Sequence, residues 1–103
     1  MRVLWTLEAE QDRDHIWETI VADNPLAAVR IDHLFSDAAA KLGDFPKLGH
    51  AGRIVGTREF IAHESYRLVY EIVPEQNIVW ILALVHTARQ WPQASNEEFA
   101  RKN

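Results

Sequence analysis

The sequence predicts an α+β domain of order β-αα-βββ, an antiparallel sheet with a helical hairpin packed on one face. Three observations carry this. Ile78 to Val85 is an unbroken apolar run that closes on His86, which is the signature of a strand covered on both faces. Tyr66 to Val73 alternates, with Tyr66, Leu68, Tyr70 and Ile72 on one side and Arg67, Val69, Glu71 and Val73 on the other. Before them come two stretches with helical spacing, separated only by Asp23-Asn24-Pro25.

In chain order, Val3-Leu4-Trp5 reads as a first strand on the sheet edge. Thr6 suits an N-cap, and Glu8 and Glu10 favour the positive end of the following helix. Ile16, Trp17, Ile20 and Val21 recur at helical spacing, so a first helix is expected from about Leu7 to Ala22. Asn24 as cap and Pro25 at the first helical position open a second helix. Its stripe is Ala27, Ile31, Leu34, Phe35, Ala38 and Leu42, and Gly43 is placed to stop it. So short a link makes the two helices antiparallel. Residues 44–52 read as a loop, and Arg53 to Ala62 as the second strand, with Gly56 marking a bulge or a close backbone approach. Turns at His63-Glu64-Ser65 and at Pro74 to Asn77 complete a meander. The domain is expected over 1–92, with a polar tail over 93–103 in which Glu97 to Arg101 could form a marginal helical turn. Two helices cover one sheet face. An apolar strip on the other, drawn from Val69 and Val73 or from Val79, Ile81 and Val85, suggests a partner.

Composition narrows the function. The chain has 103 residues, enough for one domain, and no apolar run reaches the ~18–20 residues of a membrane span. Four early acidic residues exclude a signal peptide, and no cysteine is present, so disulfides and thiolate zinc sites are out. A cytoplasmic setting is expected. The net charge of −4 disfavours a tight non-specific nucleic-acid binder. It is uneven: residues 1–52 hold five basic and nine acidic groups, whereas from Arg53 to Trp91 every basic residue is arginine. Arginine suits bidentate contact with phosphate or carboxylate.

The end of the apolar strand delivers His86-Thr87-Ala88-Arg89-Gln90-Trp91-Pro92 to the sheet rim. There His86 can carry a proton near neutral pH and Arg89 can clamp an anion. The alternative is a strand-end histidine bonded to backbone and an arginine in a surface ion pair. Arg67, inside a strand, needs a partner: either a phosphate or a structural carboxylate such as Glu59 or Glu71. Of Arg58 and Glu59, neighbours facing opposite ways, one is expected to be a solvated edge charge. His50 and His63 could join an acid–base set. His15 and His33 sit on the helices, where solvation is the expectation. Trp91 is a lid, a base-stacking platform or a plug for the core. No HxH or HExxH spacing occurs, so neither metal nor cofactor is expected.

Gly56-Thr57-Arg58-Glu59-Phe60, Tyr66-Arg67-Leu68-Val69-Tyr70 and His86-Thr87-Ala88-Arg89-Gln90-Trp91 together resemble the RelE/ParE superfamily of type II toxin–antitoxin toxins. The resemblance spans roughly Val3 to Pro92. It implies a growth inhibitor neutralised by a cognate antitoxin in a hetero-oligomer. The RelE branch cleaves mRNA on the ribosome. For that activity the resemblance implies Arg67 and Arg89 on phosphate and His86 as acid or base, with His50 or His63 assisting and Arg53, Arg58 and Trp91 as further contacts. The lysine-rich second strand of RelE is missing. The Gly-Thr-Arg-Glu block and the His-x-x-Arg-Gln-Trp ending are closer to ParE, whose members poison DNA gyrase.

Overall fold

The computed structural model describes residues 1–89 and 91–92. The polar tail, including the helical turn considered at Glu97 to Arg101, lies outside the described residues. Strand β1 (Arg2–Trp5) leads into helix α1 (Leu7–Val21) and helix α2 (Pro25–Asp44). Strands β2 (His50–Ala51), β3 (Arg58–His63), β4 (Tyr66–Val73) and β5 (Ile78–His86) follow. The sheet order is β1-β5-β4-β3-β2, with β1 parallel to β5 and the other pairs antiparallel. This is the expected α+β architecture, with one small strand added at the far edge and one correction: the sheet is mixed rather than antiparallel, because the αα-hairpin between β1 and the meander brings β1 in parallel to β5.

The helix starts form as their residue types require. The Thr6 hydroxyl accepts the Ala9 N–H, and the Asn24 side chain accepts the Ala27 N–H with Pro25 next to it. The end of α2 differs from expectation. Gly43 does not stop the helix; it is a buried helical residue, and the chain leaves at Phe45. A β-carbon on Gly43 would come to 3.0 Å from the Met1 carbonyl and 3.1 Å from the Val3 side chain. The glycine is therefore there so that α2 can lie against β1.

The second strand is shorter than the sequence suggested. Arg53 to Thr57 is not strand but the turn between β2 and β3, closed by Gly52 N–H to the Thr57 carbonyl at 2.8 Å. Gly56 sits in that turn at φ +90°, a conformation that disfavours L side chains, with open space around it. It marks neither a bulge nor a close approach. Five residues of turn leave β2 only two residues to pair.

The core lies between the helices and one sheet face. Phe35, Leu42, Leu68, Tyr70, Val79 and Ile81 are its largest closed members. Alternation in β4 is as the sequence showed. In β5 the register slips: Val69 pairs with Ala83 and Tyr70 with Ile81, so Leu82 is an extra residue. The slip turns Val79 and Ile81 under the helices together with Leu84. The expected apolar strip of Val79, Ile81 and Val85 on the second face is therefore corrected. That face carries a smaller cluster of Val69, Ala83 and Val85, against which Leu82 and Trp91 pack.

Tyr70 pins the loop after α2. Its hydroxyl donates to the Pro46 carbonyl at 2.6 Å and accepts the Gly49 N–H at 3.0 Å. Tyr70→Phe keeps the ring and removes both bonds. It should destabilise the fold by about 1–3 kcal/mol in urea unfolding, the range for leaving buried polar groups unmet. A change below a few tenths would show that water replaces the phenol.

Candidate functional site

Arg67 projects from β4 onto the second face. Its Nε lies 2.9 Å from Oε1 of Glu59 on β3, a charge contact not aligned for a hydrogen bond. Nη1 donates to the carbonyls of His86 (3.1 Å) and Thr87 (3.3 Å), and Nη2 to that of Arg89 (2.6 Å). Both charged side chains are about nine-tenths covered, at 11% exposure each. The guanidinium therefore holds the turn that follows β5. Thr87 adds to the hold by donating its N–H to the Ser65 carbonyl and its hydroxyl to that of Glu64.

The turn presents His86 and Arg89, both exposed, at one end of a cleft of about 720 Å³. The cleft lies between α1 and the second half of β5. Its walls include Glu8, Asp12 and His15 from α1, Tyr66 from β4, and Trp91 from beyond the turn. Trp91 thus both plugs the second-face cluster and walls the cleft.

His86 Nδ1 accepts the Ala88 N–H at 3.1 Å, and His63 Nδ1 accepts the Ser65 N–H at 3.0 Å. A neutral ring held this way carries its proton on Nε2 and offers a donor there. The two imidazoles flank Tyr66, with the His86 ring centroid 5.6 Å and the His63 centroid 6.0 Å from it. His63 does not line the cleft.

The other residues singled out from sequence are dispersed. Nη2 of Arg58 donates to the Lys47 and Gly49 carbonyls, tying down the loop after α2. Glu59 is buried with Arg67, so neither residue of that pair is a solvated edge charge. His50, on β2, places Nε2 4.0 Å from the same Glu59 oxygen. Arg53 reaches the Pro92 carbonyl at 3.4 Å. The structure thus brings His86, Arg89 and Trp91 together, sets Arg67 behind them, and places His50, Arg53 and Arg58 elsewhere. Among the described residues no cluster of His, Cys, Asp or Glu is arranged to hold a metal.

Sequence reasoning missed Asp12. Its Oδ2 accepts the Leu84 N–H of β5 at 3.1 Å. Burial raises its carboxyl above the ordinary 3.8; the Leu84 N–H bond and nearby His15 pull it down, and Glu8 pushes it up. A signal was present: Ala9, Asp12 and Ile16 are spaced i, i+3, i+7, so the acid falls in the buried stripe of α1.

A two-helix layer on this mixed five-stranded sheet is the fold of RelE/ParE-like toxins. The match to known proteins is direct. The model of the ParE toxin of type II toxin–antitoxin systems covers residues 3–91, and the chain belongs to that family. It is 38% identical over 93 residues to "Putative toxin Y4kP" of Sinorhizobium fredii, covering 89% of this chain and 94% of that one. Among solved structures it superposes on a chain of the chromosomal ParDE system of P. aeruginosa with a TM-score of 0.72. The identity there is 18%, over 84% of this chain and 95% of that one. The toxin–antitoxin complex RelBE2 of Mycobacterium tuberculosis gives 0.61 at 24% identity, over 84% and 91% of the two chains. The isolated E. coli RelE toxin gives 0.62 at 12% identity, over 99% and 98%. These structural likenesses show the fold.

Two outcomes test the geometry. Arg67→Met should lower stability by about 3 kcal/mol, since Glu59 is left buried and unpaired. Pairing it with Glu59→Gln should recover part of that loss in the same urea titration. Equal losses in the single and double variants would show that the carbonyl contacts dominate. Asp12 gives a pH signature. With its folded-state pKa raised, the folded chain takes up this proton before the unfolded chain does. Stability from this group is therefore present at low pH and lost as pH rises through the raised value. Asp12→Asn should melt above the wild type at pH 7, and the gap should narrow as pH falls toward 3.8. A constant gap would remove Asp12 as the cause.

Proposed function

We propose that this chain is the toxin of a type II pair that acts in the cytoplasm by poisoning DNA gyrase and is held inactive by a cognate antitoxin. The match of the ParE model over residues 3–91 carries the reading. The site supports it. Arg67, the arginine best placed by sequence for phosphate, has its guanidinium engaged by Glu59 and three carbonyls. His86 Nδ1 is engaged by backbone, which leaves Nε2 a donor rather than a ready base. The proposed contact surface is the rim formed by His86, Arg89 and Trp91, with Arg53 beside Pro92; Arg58, His50 and His63 act by shaping the loops around it.

One observation favours a second reading. An exposed imidazole and an exposed guanidinium share a cleft, as a RelE-like ribosome-dependent mRNA endoribonuclease would use them. In that reading Arg89 and Arg67 face phosphate and His86 moves the proton.

Gyrase supercoiling and ribosomal translation assays on one preparation separate the two. The gyrase reading expects cleaved DNA to accumulate, intact mRNA, and loss of the effect in Arg89→Ala. Codon-placed mRNA cuts that vanish in His86→Ala would replace it with the ribonuclease reading. Induced expression should arrest growth, and co-expression of the protein encoded by the adjoining reading frame should restore it. Normal growth on induction would remove both.

A further inference from the structure

The floor of the cleft is a strand edge with a readable pattern. Strand β5 is nine residues long, but β1 pairs only with Ile78 to Ile81. From Leu82 to His86 no described strand lies outside it. The Leu82 carbonyl accepts the Thr6 hydroxyl at 3.3 Å, and the Leu84 N–H donates to Oδ2 of Asp12 at 3.1 Å. By strand alternation the Leu84 carbonyl and the His86 N–H face the same way. Along the strand the edge therefore presents a carboxylate acceptor at Asp12, a carbonyl acceptor at Leu84 and an N–H donor at His86. A carboxylate has room for several donors, so Asp12 can hold the Leu84 N–H and take another.

The walls suit a flat ring. Ile16 packs with the core on the helix side of the sheet, and Trp91 packs on Val69, Ala83 and Val85 on the other side. Both line the cleft, so a planar group bonded to the edge lies between an aliphatic and an aromatic face. The volume of about 720 Å³ falls within the ~300–1,000 Å³ of small-ligand sites. At one end stand the exposed Arg89 and His86, whose Nε2 is a donor.

We propose that this cleft binds a free guanine nucleotide, with the base on the β5 edge between Ile16 and Trp91 and the phosphate at Arg89. The exocyclic amine donates to Asp12, the N1–H donates to the Leu84 carbonyl, and the O6 oxygen accepts the His86 N–H. Among the common bases guanine alone carries two adjacent donors followed by an acceptor on that edge. Adenine and cytosine can meet Leu84 and His86, but they bring a single amine to the two acceptors. Reading a base by its edge while stacking its faces is how extruded bases are held. The Arg89 guanidinium and the His86 Nε2–H give the phosphate charge-assisted donors. Glu8 and Asp12 make the facing wall acidic and repel further phosphates, which selects one nucleotide over a polynucleotide backbone. The site stands apart from the choice between gyrase and ribosome as target.

The test is a titration of the isotope-labelled full chain with GMP, followed by amide spectra. Saturable shifts are expected at Leu84 and His86. Each lost contact should weaken binding about tenfold or more, the scale of one hydrogen bond to a charged or buried partner. That loss is expected for IMP, which lacks only the exocyclic amine, for N1-methyl-GMP, for AMP and for guanosine, which lacks the phosphate. Arg89→Ala keeps the carbonyl that Arg67 holds. It should lose GMP affinity by the same factor while binding guanosine as the wild type does. Should Arg89→Ala fail to fold, guanosine against GMP on the wild type decides the phosphate contact. No shifts at millimolar GMP, or CMP binding as well as GMP, overturns the proposal. IMP binding as well as GMP removes Asp12 from the site and overturns the guanine assignment. A guanine-containing trinucleotide bound more tightly than GMP overturns the free-nucleotide assignment and makes the cleft a strand-reading surface.

Discussion

The Arg67 guanidinium fixes where the chain goes after its last strand. It sits on the sheet face away from the helices, neutralised by Glu59 across one strand pair, and takes three carbonyls of the His86–Arg89 turn. A planar group with five donors in a rigid fork can do this; a lysine ammonium cannot span the same acceptors. The consequence is positional. His86 and Arg89 stand at the mouth of the cleft because the turn beneath them is held, and Trp91 folds back on Val69, Ala83 and Val85 because the turn aims it there. The residue that sequence pattern singled out for chemistry thus serves first as the mount for its neighbours.

Much of the fold was legible because local signals agreed with one another. Thr6 and Asn24-Pro25 are helix starts by residue type, and the alternation of β4 sorts its faces without help from the rest of the chain. What was not legible depended on contacts between distant segments. Gly43 looks like a helix stop because glycine commonly is one; here it is needed for β1, about forty positions away in sequence. The slip at Leu82 leaves no mark in an apolar run where every residue suits either face. That one extra residue decides which side chains of β5 join the main core, so that Val79, Ile81 and Leu84 share it while Ala83 and Val85 face the small cluster under Trp91.

The site was legible in part for the same reason. His86, Arg89 and Trp91 lie on one short stretch, so their meeting is local and followed from where β5 ends. His50, Arg53, Arg58 and His63 were candidates by residue type alone, and residue type does not say which loop a guanidinium will bind. Asp12 is the reverse case. It looked like one more acid on an acidic helix, yet its register places it among buried positions, and an acid there must have a donor. The donor is a backbone N–H of β5, which no pattern in the α1 sequence could name.

The half-covered strand ties these points together. β1 ends at Trp5 and α1 begins within two residues, so the helix must leave the plane of the sheet just where β5 continues. That departure opens the cleft and bares the edge in one step. Side chains on the first turns of α1 then have to meet the exposed main chain, and Thr6 and Asp12 do so. Their bonds are single and partly solvated, hence individually weak beside a strand ladder. The turn at the basic end of the cleft is held by Arg67, whereas the acidic side meets the β5 edge through two such single bonds beside the packing of Ala9 and Ile16 in the core. The same departure of α1 therefore sets both walls of the cleft, the held turn with His86 and Arg89 on one side and the half-covered edge of β5 on the other.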